Sequence, residues 1–258
     1  MPSVAQAAMN SVIVNADDWG RDVLTTDRMI ECARAGMLSS VSAMVFQPDS
    51  ERGAALAAEH GIDTGLHLNL STPLGAKYCP IGLQERQAKI RHFLRSNYLA
   101  PVVYHPGLVD TFRYVVAAQI DEYSRIYGHP PLHMDGHHHM HLCSNMLFSD
   151  FIPKGVIVRK SLSSVCGDMS WPKRTFRAWQ DRILARHYQM TDFFFNIMPL
   201  DPHRLESIVA HVAQGTVEIM THPLSDVEYR FLLDGGLTSY LGAIKVARGY
   251  KLADRSEA

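Results

Sequence analysis

Residues 133–141 read HMDGHHHMH, so five of the chain's fourteen histidines fall within nine positions. Imidazole and carboxylate together are ligand types for zinc and other divalent ions, and a catalytic site keeps three protein ligands plus water. Histidine is also a proton donor or acceptor near neutral pH. An expression tag would be terminal, whereas this run is internal. A chelating tract usually lies in low-complexity sequence, whereas PLHMD leads in and LCSNMLF leads out. Any single histidine of the run is as well read as a hydrogen-bonded residue of a strand or loop. The cluster gains meaning from polar residues elsewhere: Asp17 and Asp18 in VNADDWG, His67 in GLHLNL, Arg159 in VIVRK and His222 in EIMTHP. A metal, a spare carboxylate and a spare histidine together suit metal-assisted hydrolysis, the metal activating a water and the side chains moving protons.

The elements that must position these groups alternate along the chain. Apolar runs suited to buried parallel strands occur at 11–18, 38–46, 62–70, 131–135, 156–160, 192–196 and 216–220. Helical spacing appears at 22–35, with Gly36 as a C-cap, from Pro48 and Asp49 to Gly61, and near 84–96, 107–127, 174–189 and 202–213. Roughly seven βα units without a linker or repeat predict one α/β domain over 1–258, with residues 1–10 as an N-terminal extension. Asp17, Asp18, His67, Asp135, His137, Arg159 and His222 all fall at C-terminal strand ends. In a parallel barrel those ends share the face where active sites form, and an open doubly wound sheet gathers them similarly.

Composition narrows the class. The net charge is −1, with 47% hydrophobic and 20% charged residues, so no broad basic field points to nucleic acid. Cys32, Cys79, Cys143 and Cys166 are scattered without a CxxC pair, which fits reduced thiols in a cytoplasmic protein. The start shows no signal-peptide pattern, and no apolar run reaches bilayer length.

In order, VNADDWG, GLHLNL, HMDGHHHMH and EIMTHP resemble the YdjC family of carbohydrate deacetylases, which includes the chitooligosaccharide deacetylases. The resemblance runs from Ile13 to ARGYKL near residue 252. It implies a distorted (β/α) barrel, one divalent metal (Mg2+ or Zn2+) per chain and hydrolysis of an N-acetyl group from an amino sugar. By motif it implies Asp18, His67 and His137 as metal ligands, Asp17 as general base, and His222 as acid or intermediate stabiliser. Trp19 stands where the family usually has Phe. The loop 71–82 and the stretch from Arg159 to Trp179 depart from the family, so they are expected to hold the sugar.

Ligating histidines usually donate their second N–H to a carboxylate, a role open to Asp135. In an extended segment, positions 137, 139 and 141 share a face, so His139 or His141 would line the pocket while His138 faces away. Arg159 is read either as a substrate contact or as a barrel ion pair. Trp171, Phe176 and Trp179 are read as helix packing or as a stacking surface for a sugar or lipid. The expected partner is an N-acetylated sugar, with no nucleic acid, no stable membrane insertion and at most a second copy in a homodimer. Two rival functions remain on the residues alone. A phosphodiesterase would gather two metals and more cations, and a non-catalytic metal-binding protein would leave Asp17 without a task.

Overall fold

The computed structural model describes residues 11–165, 169–250 and 252. Residues 1–10, 166–168 (with Cys166), 251 and 253–258 lie outside them. Seven parallel strands form one curled sheet in the order β5-β4-β3-β2-β1-β7-β6. They are β1 Ser11–Trp19, β2 Ser40–Ala43, β3 Asp63–Leu68, β4 His133–Gly136, β5 Ile157–Val158, β6 Phe193–Asn196 and β7 Val217–Thr221. An eighth strand that the sequence did not announce, β8 Lys245–Val246, pairs with the start of β1. Segments flanking the two edge strands bridge them: Val158 N–H donates to Gln189 O at 2.9 Å and Ser163 N–H to Phe194 O at 2.7 Å. The result is the expected distorted barrel, in one α/β domain.

The outer helices are α1 Val23–Arg34, α2 Ser50–His60, α3 Ile81–Leu94, α4 Val109–Tyr127, α5 Ser144–Leu147, α6 Trp171–Leu184, α7 Pro202–Ala210, α8 Asp226–Leu233 and α9 Gly236–Leu241. Their ends follow local chemistry. The Asp22 carboxylate caps α1 by accepting from Thr25 N at 2.9 Å. Gly36 then closes it, with Gly36 N–H to Ala33 O and Met37 N–H to Cys32 O. Gly61, at φ 60°, closes α2.

Strand β1 runs between β2 and β7 and is buried from Val12 onward, which is why, Asn15 apart, its sequence is apolar up to the carboxylates. Its pairing with β2 is broken between Asp17 and Trp19. Asp18 takes a left-handed φ of 76° at this bulge, which re-aims its side chain relative to a regular strand.

One close approach shows how tightly the interior is filled. The ring of buried His133 lies against Gly65, where an added Cβ would meet it at 2.2 Å. The ring also stacks on Tyr250 at 4.1 Å, and burial pushes its pKa down. Gly65→Ala is therefore expected to destabilise the protein by about 1–3 kcal/mol through overpacking. Urea unfolding checks this, and an unchanged midpoint would mean that the β3–β4 interior is loosely filled.

Candidate metal and catalytic site

Asp18 leaves β1 through the bulge, His67 is next to last in β3, and His137 directly follows β4. Their ligand atoms lie within 4.8 Å of one another, and all three residues are buried. Asp18 Oδ1 is 2.8 Å from His137 Nδ1 and 3.3 Å from His67 Nε2. These contacts are close but misaligned for hydrogen bonding, so Asp18 Oδ1 and His67 Nε2 have no hydrogen-bond partner. A buried polar atom without a partner is costly. Two ligand atoms about 2.1 Å from one ion, at a tetrahedral or octahedral angle, lie about 3.0–3.4 Å apart. The unpartnered atoms and their spacing fit a divalent ion.

The surrounding charges fit one too. Burial opposes ionisation of Asp18, but His137 and His67 outweigh it and hold its carboxyl well below the usual range. Burial likewise opposes an imidazolium at His67, yet Asp135 and Asp17 push its pKa up to about 10. The barrel interior thus carries surplus negative charge, which attracts a cation or, without one, a proton.

Asp135 sits beside His67 in the β3–β4 register and accepts from His67 Nδ1 at 2.7 Å. This is the carboxylate support that the sequence suggested for a ligating histidine. It leaves Nε2 as the free nitrogen facing Asp18. Ser42 Oγ donates to the other Asp135 oxygen at 2.8 Å. Asp135→Asn should loosen the ring and weaken metal affinity or turnover by roughly 10–100-fold. A metal titration reads the loss directly, and unchanged affinity would remove Asp135 from this role.

Arg159 is placed differently from a substrate contact. It is 1% exposed and lies across the barrel interior, under the site. Its Nη1 and Nη2 grip both oxygens of Asp17 at 2.7 and 2.8 Å. Nη1 also reaches Asp135 at 2.5 Å, Nε donates to Glu218 at 2.7 Å, and the Phe194 ring covers Cζ at 4.8 Å. A buried guanidinium requires such pairing, and with four of its five N–H groups so engaged and 1% exposure Arg159 does not reach a sugar. Asp17, which also accepts from Asn15 Nδ2 at 2.9 Å, is therefore held rigidly. A second group of candidate ligands, Asp17, His67 and Asp135, is already engaged by these bonds.

The histidine run departs from the extended expectation. After Gly136 the chain folds back in a tight turn, with His138 and His139 at φ 54° and 57°. Gly136 permits this, because a Cβ there would lie 2.9 Å from His141 N. The turn sends the rings apart. His137 faces Asp18, His138 pairs with Ser71 Oγ at 3.0 Å, and His141 contacts Arg159 O at 3.0 Å from beneath. His139 lies half-buried against Phe194, 5.8 Å between centroids, in a cleft of about 240 Å³ shared with His138, Val102, Phe176 and Gln180. It lines this cleft, and the strand alternation from which the sequence placed it in the metal pocket is absent.

His222 follows β7, where Ala16 pairs with Thr221, so it leaves the sheet beside Asp17. Its N–H donates to Glu228 at 2.6 Å, which fixes the backbone and leaves the ring half-buried. The sequence reading missed Asn15, Glu218 and Tyr250. Tyr250 Oη donates to Glu218 at 2.5 Å, extending the interior chain of contacts toward Arg159. Burial pushes the Glu218 pKa up to about 6 despite Arg159. Asn15 and Glu218 did leave a signal, since each is a polar residue inside an otherwise apolar strand.

Comparison with known proteins gives a consistent set. The chain matches the family described as YdjC-like protein over residues 11–234. A carbohydrate deacetylase of Homo sapiens is 29% identical over 252 residues, covering 82% of this chain and 74% of the relative. A chitooligosaccharide deacetylase of Proteus mirabilis is 32% identical over 132 residues, covering 51% of this chain and 50% of the relative. Among solved structures, a protein of Enterococcus faecalis V583 provisionally assigned to cellobiose-phosphate cleavage superposes with a TM-score of 0.64. It is 16% identical and covers 95% of this chain and 97% of its own; that likeness concerns the fold.

Proposed function

The chain belongs to the YdjC-like protein family, and from that premise we propose that it hydrolyses the acetamide of an amino-sugar-containing carbohydrate, releasing acetate and a free amine. It is an enzyme of the carbohydrate deacetylase kind. The observation that carries the metal-dependent form is the buried trio of Asp18, His67 and His137 with two unpartnered ligand atoms. These three residues would hold one divalent ion, Zn2+ or Mg2+, the two imidazoles favouring zinc. When bound, such an ion polarises the amide carbonyl and lowers the pKa of water from 15.7 toward about 7.

The remaining roles fall to side chains of this chain. Asp17, gripped by Arg159, accepts the proton of the attacking water as the carbon–oxygen bond forms. His222, on the neighbouring strand, donates a proton to the amine nitrogen as the carbon–nitrogen bond breaks. Asp135 keeps the His67 ring oriented. The 71–82 loop and the wall of His138, His139 and Phe176 hold the sugar. We place the enzyme in the cytoplasm, a setting supported by Cys32, Cys79 and Cys143, which are buried and unpaired.

A phosphodiesterase is disfavoured by the engagement of Asp17 and Asp135 with Arg159, which leaves no second set of free ligands among the described residues. The test is acetate release by metal-replete protein from chitobiose, a nucleotide-linked N-acetylglucosamine and a lipid-linked one. Acetate from at least one class, with close to one metal per chain, is expected. Cleavage of a phosphodiester without acetate release would overturn the reading.

A further inference from the structure

Beside the cleft at His138 and His139, and adjoining its Phe176 wall, the protein exposes an aromatic and basic surface. Trp171 on α6 is 76% exposed and Trp179 42%. Trp179 lies 5.6 Å from Phe176 and 5.9 Å from Phe148, and Phe148 lies 6.4 Å from Tyr104. The segment just before Tyr104 adds Tyr98, Leu99, Val102 and Val103, all exposed. Contiguous exposed apolar patches of this kind mark interaction surfaces.

Helix α6 also carries Lys173, Arg174 and Arg182, with Arg186 just beyond, all exposed. Among the described residues, none of these four forms an ion pair. The acidic residue of the helix, Asp181, turns inward to Ser161 N–H at 2.8 Å. A groove of about 610 Å³ is lined by Leu147, Phe148, Trp179 and Tyr188 together with Arg182 and Arg186, against a single carboxylate, Asp150.

We infer that this face, α6 together with the 98–104 segment, docks the protein peripherally on an anionic lipid surface. Trp, Phe and Tyr insert at the headgroup boundary while Lys and Arg pair with lipid phosphates, the composition of helices that lie in a membrane interface. Charge complementarity selects this occupant over the others. A neutral glycan gains nothing from four cations. A second copy across a two-fold axis would set the same cations against one another. The chain's net charge of −1 means that the basic patch is local. No helix among the described residues is long and apolar enough to cross a membrane, so the attachment is peripheral. Docking this way sets the cleft at His138 and His139 beside the lipid surface.

The test is flotation of the full-length protein with vesicles of phosphatidylcholine alone or with 30% phosphatidylglycerol. Binding is expected to the anionic vesicles only and to fall as salt rises. Each basic residue contributes about fivefold to partitioning, so Arg174→Ala with Arg182→Ala should weaken it on the order of twentyfold. Trp171→Ser with Trp179→Ser should weaken it independently of salt. Equal or absent binding to both vesicles, or loss in neither variant, would overturn the inference. So would a wild-type dimer that Trp171→Ser dissociates, or binding of a single-stranded RNA oligonucleotide in preference to the vesicles. No turnover is measured, so the result stands apart from the assignment of the reaction.

Discussion

Asp17→Asn is expected to keep the metal and lose turnover by about 10²–10⁴-fold, the usual contribution of a positioned general base. The amide is nearly the same size as the carboxylate but takes no proton from water at neutral pH. The metal should remain because Asp17 is not one of the three residues whose free atoms converge; its oxygens are committed to Arg159 and Asn15. Arg159 keeps its bonds to Asp135 and Glu218 in the variant, so the guanidinium does not become an unpaired buried charge. Turnover and elemental analysis on the same preparation check the two halves of the prediction. Unchanged kcat at full metal occupancy would exclude Asp17 as the base.

His137→Ala should take metal from near one per chain to near zero, and turnover to background with it. A catalytic site of three protein ligands has none to spare, and neither neighbouring ring can replace His137. His138 is turned to Ser71, and His139 lies against Phe194, both because the turn throws successive rings in different directions. His139→Ala is the matched control and should retain metal. Full occupancy in His137→Ala, or loss in His139→Ala, would reassign the ligand.

Much of this was legible in the residues. The seven strands of the curled sheet lie where apolar runs between turn residues placed them, because in a parallel sheet covered on both faces each strand must be apolar along its length. The helix ends at Asp22, Gly36 and Gly61 are local effects, decided by a side chain or a left-handed residue within a few positions. That the polar residues gather on one face follows from strand direction alone, since all seven C-terminal ends point the same way.

Other features depended on contacts distant in sequence. The bulge that turns Asp18 toward His67 and His137 exists only because β1 pairs irregularly with β2, and register is a property of two strands, not one. The positive φ values of His138 and His139 are unfavourable for these residues in isolation. They persist where Gly136 lets the chain fold back, Ser71 receives the His138 ring and Arg159 O receives the ring of His141 just beyond. Arg159 read equally as a pocket residue or an ion pair; closing the barrel buried it among Asp17, Asp135 and Glu218, which are up to 142 positions away in sequence. The two-residue strand β8 and the bond from Tyr250 to Glu218 carried no local signal, because a short segment becomes a strand or a strap only when its partner is already in place. The identities and approximate positions of the chemical groups were thus written in local sequence. Their distances, their free nitrogens and the rigidity of Asp17 were decided by long-range packing, which selects one register and one set of partners.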